Sequence, residues 1–348
     1  MAQYVHQLTE QIKLLGKTNW VKTQPFSAVY FGGGTPTALP VKLFAALLES
    51  ISSEIPLTPD VELKVETSIS ELTDEYLSFF RSSMVNRVSM GIQSFDEALR
   101  HNHSRIAGFS EIQSLVEKLN SDGIENRCAD LMYNLEGQTL QTWESDLKSI
   151  AELNFTGSSV YPLLPFPGAP MVRNNTYPKP DPHLEFQYFQ VADSFLTNLP
   201  LWEFFTPVQY GHSNLGRANY IYQQAIDADI LALGPGAGGK INGIQYLNAF
   251  SLEDFIAEET KVFSQKSKVF ELPSAFHILE EQLRLFKAAS MDNIRFDELF
   301  GNHSKLVTEL IEFDLLEVNE QIVSLTQTGR YWAANLAALF IDNSLKEL

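Results

Sequence analysis

Three polar side chains stand at or just beyond the apolar part of a run, and together with an arginine that follows one of them their types suit the recognition of an amino acid joined to a sugar. Glu66 closes the run 61–65, Gln93 follows the run 87–91, Asp130 lies within 126–132, and Arg105 comes soon after Gln93. Two carboxylates and an amide offer acceptors to an ammonium group and to sugar hydroxyls, and a guanidinium fork matches a carboxylate. Taken singly, Glu66, Gln93 and Asp130 each read more simply as a solvated residue at the end of a strand. Upstream lies Val29-Tyr30-Phe31-Gly32-Gly33-Gly34-Thr35-Pro36-Thr37, an apolar run broken by consecutive glycines. Without Cβ atoms, Gly32, Gly33 and Gly34 leave main-chain groups open to a ligand, so the turn is either a tight connection or a binding loop.

The elements that must position these residues follow a βα rhythm. Segments 27–31, 61–65, 87–91, 126–132 and 158–163 are short, apolar and bounded by turn residues, as buried strands are. Helical spacing fills 39–51, with Thr37 as a cap, then 73–80, a stretch within 98–120, and 140–153. The chain opens on an expected helix over 1–19 that Gly16 can end. Strands alternating with helices predict an α/β fold with a parallel sheet, and five successive units favour a closed or partly closed barrel over an open sheet. In such a barrel Glu66, Gln93 and Asp130 converge on the rim that holds the glycine turn. A proline-rich loop is expected from 163 through 182.

Bulk properties narrow the function classes. The chain has 348 residues, 25 Lys plus Arg against 43 Asp plus Glu, and a formal charge of −18. That balance argues against non-specific binding to nucleic acid or to an anionic membrane, both of which want clustered basic charge. Cys128 is the single cysteine, so no intrachain disulfide can form. There is no apolar run of about 18 residues and no basic-then-apolar leader. The expectation is a cytoplasmic, non-membrane protein.

Several blocks carry a family resemblance: Gly32 through Thr37, then Glu66, then Asn86-Arg87-Val88-Ser89-Met90-Gly91-Ile92-Gln93-Ser94-Phe95, then Asp130-Leu131-Met132-Tyr133 and Gly137-Gln138-Thr139. In order and spacing, over roughly 1–170, they resemble the coproporphyrinogen-dehydrogenase-like branch of the radical S-adenosylmethionine enzymes. The resemblance implies a partial (β/α)6 TIM-like barrel of parallel strands, with a first strand lying upstream of this chain. It implies S-adenosylmethionine and a [4Fe-4S] cluster as cofactors, and a flavodoxin-like reductant as a partner. By the same resemblance Gly32, Gly33, Gly34 and Thr35 form the loop for the methionine ammonium. Glu66 faces the same amino acid moiety, Arg105 its carboxylate, and Gln93 and Asp130 the ribose.

A second block, Leu233-Gly234-Pro235-Gly236-Ala237-Gly238-Gly239-Lys240-Ile241-Asn242-Gly243 with Tyr246-Leu247-Asn248, is similar to the haem-utilisation members, which open the haem ring without oxygen and release iron. Its glycines, Lys240 and Asn242 either contact a tetrapyrrole or form a turn covering the barrel mouth. Tyr161 either lines the cleft or belongs to the core. His212 is either a haem or substrate contact or a loop histidine. The tail resembles a small winged-helix-like module, with a covering or packing role favoured over DNA binding. The expected division is 1–170 barrel core, 171–270 substrate-covering extension, and 271–348 C-terminal module.

One departure is severe. The family's cluster needs three closely spaced cysteines, and Cys128 alone, inside an expected strand, is most simply a small buried hydrophobe. A milder one is Asn134-Leu135-Glu136 where the family has Gly-Leu-Pro. The chain is then either an amino-terminally shortened haem-degrading enzyme or a cluster-free relative. A barrel edge lacking its first strand would leave unpaired backbone groups and reduce stability. Three functions stay open: a haem-degrading radical methyltransferase, an oxygen-independent coproporphyrinogen III dehydrogenase, and a haem-binding or trafficking protein without turnover.

Overall fold

In the computed structural model the described residues are 1–347 except 104, 165–169, 175–180, 216, 227, 258–266, 272–274 and 302–303. Most of the proline-rich loop expected before Pro182 lies outside them. Helices α1 (Ala2–Gly16) and α2 (Asn19–Lys22) lead into strand β1 (Phe26–Phe31). The chain then runs α3 (Val41–Glu54), β2 (Leu57–Thr67), α4 (Asp74–Ser82), β3 (Arg87–Gln93), α5 (Glu97–Asn102), α6 (Phe109–Ser121), β4 (Asn126–Tyr133), α7 (Leu140–Glu152) and β5 (Gly157–Pro162). These five strands pair in sequence order, all parallel, in a curled half-barrel sheet. The α/β architecture read from the βα rhythm is therefore present.

The sheet closes differently from a simple continuation of that rhythm. After α8 (Pro170–Arg173) and α9 (Pro182–Thr197), strands β6 (Trp202–Thr206) and β7 (Gln209–His212) form a hairpin, and β7 pairs antiparallel with β5. Only Pro207 and Val208 separate β6 from β7, and so short a link serves antiparallel strands alone. The helix expected within 98–120 is likewise two helices. The Gly108 N–H at the start of α6 donates to Glu111 Oε2 at 2.8 Å, and Arg105 lies in the break between the two.

Alternation along each strand divides the sheet into two faces. Leu63 and Val65, Val88, Met90 and Ile92, and Ala129 and Leu131 point to the helices and pack with Phe44, Phe80, Ile112, Trp143 and Leu147. Side-chain caps fix where those helices begin: Thr73 accepts from the Tyr76 N–H, Asp96 from Leu99, and Thr139 from Thr142. The concave face carries a different population, with Glu62, Lys64 and Glu66 on β2, Arg87 and Ser89 on β3, Cys128 and Asp130 on β4, and Ser159 on β5. β1 is the edge of the sheet, and all six of its residues are half-buried.

Beyond α10 (Asn219–Ala225) come β8 (Gly238–Ile241), β9 (Ile244–Leu247), α11 (Leu252–Ala257) and β10 (Lys268–Glu271), whose strands form a small antiparallel sheet in the order β10-β9-β8. The remainder comprises α12 (Ala275–Ala288), β11 (Ser290–Asp292), α13 (Asn293–Phe300), α14 (Ser304–Glu312), β12 (Leu316–Val318), β13 (Ile322–Leu325), α15 (Gln327–Tyr331) and α16 (Ala333–Glu347). It has its own core around Leu285, Phe300, Val323 and Phe340. Its anchor to the barrel is buried: Arg330 Nη2 meets Asp193 of α9 at 2.5 Å, and Asp193 also accepts from the Tyr210 hydroxyl at 2.9 Å. No helix among the described residues is long and apolar enough to cross a membrane.

Candidate functional site

The glycine turn leaves the carboxyl end of β1 exposed to solvent and passes through a short helical turn, Pro36–Ala38, into α3. Thr37 Oγ1 and Thr67 Oγ1, 2.7 Å apart, tie it to the end of β2. Gly33 has φ +99°, a conformation open to glycine at no steric cost. A Cβ on Gly32 would lie 2.4 Å from a ring carbon of Tyr30 and 3.1 Å from Glu66 Oε2, so the backbone must be bare there. Around Gly34 there is open space.

Beneath the turn, the concave face supplies a ring of acceptors and their supports. The Tyr30 hydroxyl donates to Glu66 Oε1. The Tyr30 ring stacks on Tyr220 of α10, centroids 4.4 Å apart and 4° from parallel, and the Lys64 ammonium lies 5.0 Å from its centroid. One strand further, the Ser89 hydroxyl lies 3.1 Å from both oxygens of Asp130. Burial pushes the Asp130 carboxyl up, and Glu66 adds to this, while Lys64 and hydrogen bonds from Ser89 and Ser159 oppose it.

Gln93 and Arg105 come together over Gly91. The β3–β4 register slips between Gly91 and Gln93, and Gln93 takes φ +70°, which re-aims its side chain. Its Nε2 lies 3.1 Å, and Arg105 Nη2 3.9 Å, from where a Cβ on Gly91 would stand. Two buried residues hold this stretch from behind. Asp146 of α7 accepts from the Ser94 hydroxyl at 2.8 Å and the Phe95 N–H at 2.6 Å, and burial pushes its carboxyl up to about 6. Arg100 donates through Nη1 to the Ile92 and Ser94 carbonyls at 2.7 and 3.1 Å.

The structure thus brings Gly32, Gly33, Gly34, Thr35, Glu66, Gln93, Arg105 and Asp130 to one rim. Tyr161 joins them: it is 38% exposed and hydrogen-bonds with Ser159 and Gln209, so it lines the cleft rather than filling the core. Gly236 and Gly238 share with the glycine turn the lining of a cavity of about 800 Å³ that runs along β1, to which Tyr4, Leu8, Tyr30 and Tyr220 also contribute.

His212 is not brought to the rim. β7 runs antiparallel, so its end lies beside the start of β5, where the His212 N–H donates to the Thr156 carbonyl and Nδ1 accepts from the Asn214 N–H at 3.2 Å. Gly239 packs under the Tyr246 ring, with 2.4 Å from a would-be Cβ to that ring. Lys240 Nζ meets Glu280 of α12 at 2.9 Å, and the exposed Asn242 donates its N–H to Asp229. This part of the hairpin is engaged in joining the small sheet to its surroundings.

Reading the sequence missed Tyr30, Lys64, Tyr220, Asp146 and Arg100. Tyr30 could have been found from strand period, two residues before Gly32 and on the same face. The others carry no local signal, because their partners lie on distant elements.

A half-barrel with acceptors gathered at the carboxyl ends of its parallel strands, beside an open glycine turn, defines a class of α/β proteins that bind ligands at the strand ends. Residues 5–150 match the model of the Radical SAM superfamily. The fold is that of the coproporphyrinogen III oxidase of Escherichia coli, with a TM-score of 0.81 at 21% identity over 97% of this chain and 82% of that one. An anaerobilin synthase of Escherichia coli O157:H7 is 26% identical over 341 residues, spanning 96% of this chain and 76% of its own. A heme chaperone, HemW, of Bacillus subtilis is 28% identical over 347 residues, spanning 95% and 89%. Residues 5–150 thus carry a radical S-adenosylmethionine domain, and over nearly the whole chain the protein is similar to the coproporphyrinogen-oxidase-like proteins just named.

The superfamily implies S-adenosylmethionine and a [4Fe-4S] cluster, and the two fare differently here. Cys128 is the chain's single cysteine, and its sulfur accepts from Arg87 Nη1 at 3.1 Å inside the sheet. Among the described residues no cluster of three His, Cys, Asp or Glu could hold a metal ion. These residues do not fit a cluster that is held by thiolates.

Proposed function

We propose that this chain binds S-adenosylmethionine at the rim of the half-barrel and a haem-type tetrapyrrole beside it, as the binding body of a haem-degrading methyltransferase. The observation that carries the first half is the convergence of a bare glycine turn, two carboxylates, an amide and a guanidinium at one end of the sheet. S-adenosylmethionine, when bound, supplies a carbon activated by its sulfonium. The chain's own work is to bind and orient. Glu66 Oε2 and the backbone of Gly34 and Thr35 take the ammonium, Arg105 the carboxylate, and Gln93 and Asp130 the ribose hydroxyls. Ser89 and Ser159 hold Asp130 by hydrogen bonds.

The tetrapyrrole half draws support from the relatives. The anaerobilin synthase matches almost the whole chain, including the β8–β9 hairpin. Gly236 and Gly238 at one side of the cavity permit the close backbone approach a flat macrocycle needs.

A second reading, a haem-binding protein without turnover, is favoured by the one cysteine. Anaerobic titration of the chain with haem, with and without S-adenosylmethionine, separates the two by the haem absorbance band. Haem binding that S-adenosylmethionine strengthens supports the first reading, and haem binding indifferent to it supports the second. If coproporphyrinogen III is bound and haem is not, both readings fail in favour of a porphyrinogen-binding protein.

A further inference from the structure

Glu66 has two oxygens, and the structure gives them different surroundings. Oε1 accepts from the Tyr30 hydroxyl. Oε2 is turned toward the glycine turn, 3.1 Å from the point a Cβ on Gly32 would occupy. A glutamate on a concave sheet face has several rotamers open to it, and only those that leave an oxygen beside the turn serve a ligand held there.

Tyr30 is itself immobilised. Its ring stacks on Tyr220, its neighbour above is the bare backbone of Gly32, and Lys64 lies over it. Burial, then the bond to Glu66, pushes its hydroxyl well above the usual tyrosine range, so it stays protonated and remains a donor at neutral pH. A fixed donor on a rigid ring is what a positioning residue requires.

We propose that Tyr30 is a positioning residue for the ammonium subsite: it holds Glu66 by one carboxylate oxygen so that the other faces the Gly32–Gly34 turn. The assignment rests on the reading that this rim takes S-adenosylmethionine. It makes Tyr220 part of the same device, since α10 backs the ring that holds the glutamate.

The test is equilibrium binding of two ligands to the full chain: S-adenosylmethionine, and 5′-methylthioadenosine, which lacks the amino acid moiety. Tyr30→Phe keeps the stacked ring and removes the hydroxyl. It is expected to weaken S-adenosylmethionine about tenfold, the equivalent of one hydrogen bond to a charged group. Methylthioadenosine binding should not change. Glu66→Gln should weaken S-adenosylmethionine on its own account, and adding Tyr30→Phe to it should cost nothing further, because Tyr30 acts through Glu66. Equal weakening of both ligands by Tyr30→Phe, no weakening of either, or full additivity with Glu66→Gln would each overturn the assignment while leaving the rim's ligand intact. Should the unaltered chain bind neither ligand, the S-adenosylmethionine reading falls and Tyr30's role with it.

Discussion

The guanidinium of Arg87 on β3 meets Glu62 on β2 across the floor of the sheet, Nε to Oε2 at 2.7 Å, with the two residues 2% and 8% exposed. The pair also organises a stretch of chain far away in sequence. Arg87 Nη2 donates to the Leu215 and Arg217 carbonyls at 2.9 and 2.7 Å, and Glu62 accepts from the Asn219 and Tyr220 N–H groups at 2.8 and 3.1 Å. Through these bonds the floor of the sheet sets the start of α10, and with it the Tyr220 ring that stacks on Tyr30.

Removing one partner of so buried a pair leaves an uncompensated charge. Arg87→Met is expected to lower unfolding free energy by about 3–5 kcal/mol, and Glu62→Met by a similar amount. The double variant should recover a large share, since no lone charge remains. Urea denaturation of the three variants checks this, and a double variant as unstable as the sum of the singles would show that the pair is not the unit.

Asp146 makes stability depend on pH. Its carboxyl titrates at about 6 in the folded protein, against about 3.9 in an unfolded chain. A folded-state value raised in this way favours the protonated form. The stability it contributes is complete below about pH 4 and is lost as pH rises through 6, a span worth roughly 3 kcal/mol. Asp146→Asn cannot ionise, so its stability relative to the natural chain should rise by about that amount between pH 4 and 7. Thermal or urea unfolding of both across this range would read it. A pH-independent difference would mean that folding leaves the affinity of this carboxyl for a proton unchanged.

The βα rhythm was legible because strands and helices each show their period locally, and so were Glu66, Gln93 and Asp130, which end apolar runs. The sequence also exposed the glycine turn. What stayed hidden was pairing between distant residues. Glu62 and Arg87 are charged residues within strands, and nothing local distinguishes one that faces a polar interior from one that faces solvent. Lys240 reads as a tetrapyrrole contact or as part of a covering turn, and only the fold shows α12 bringing Glu280 to it, 40 residues on. His212 reads as a haem or substrate contact or as a loop histidine, and only the antiparallel direction of β7 shows that it lies beside the start of β5.

The glycines of the turn differ in what surrounds them, and substitution by alanine should separate packing from ligand approach. At Gly32 a methyl group meets the Tyr30 ring at 2.4 Å, and that ring is pinned by Tyr220 and Glu66. Gly32→Ala is therefore expected to cost about 1–3 kcal/mol of stability, as overpacking does, and to lower S-adenosylmethionine binding by displacing Glu66. Gly34→Ala meets nothing within 4 Å. It should unfold within about 0.5 kcal/mol of the natural chain, as substitutions without a packing consequence do. If ligand approaches the bare backbone there, the same methyl group must still weaken S-adenosylmethionine binding. Unfolding midpoints and binding isotherms of the two variants together decide the matter. A Gly34→Ala chain that is stable and binds as before would reduce the turn to a tight connection between β1 and α3.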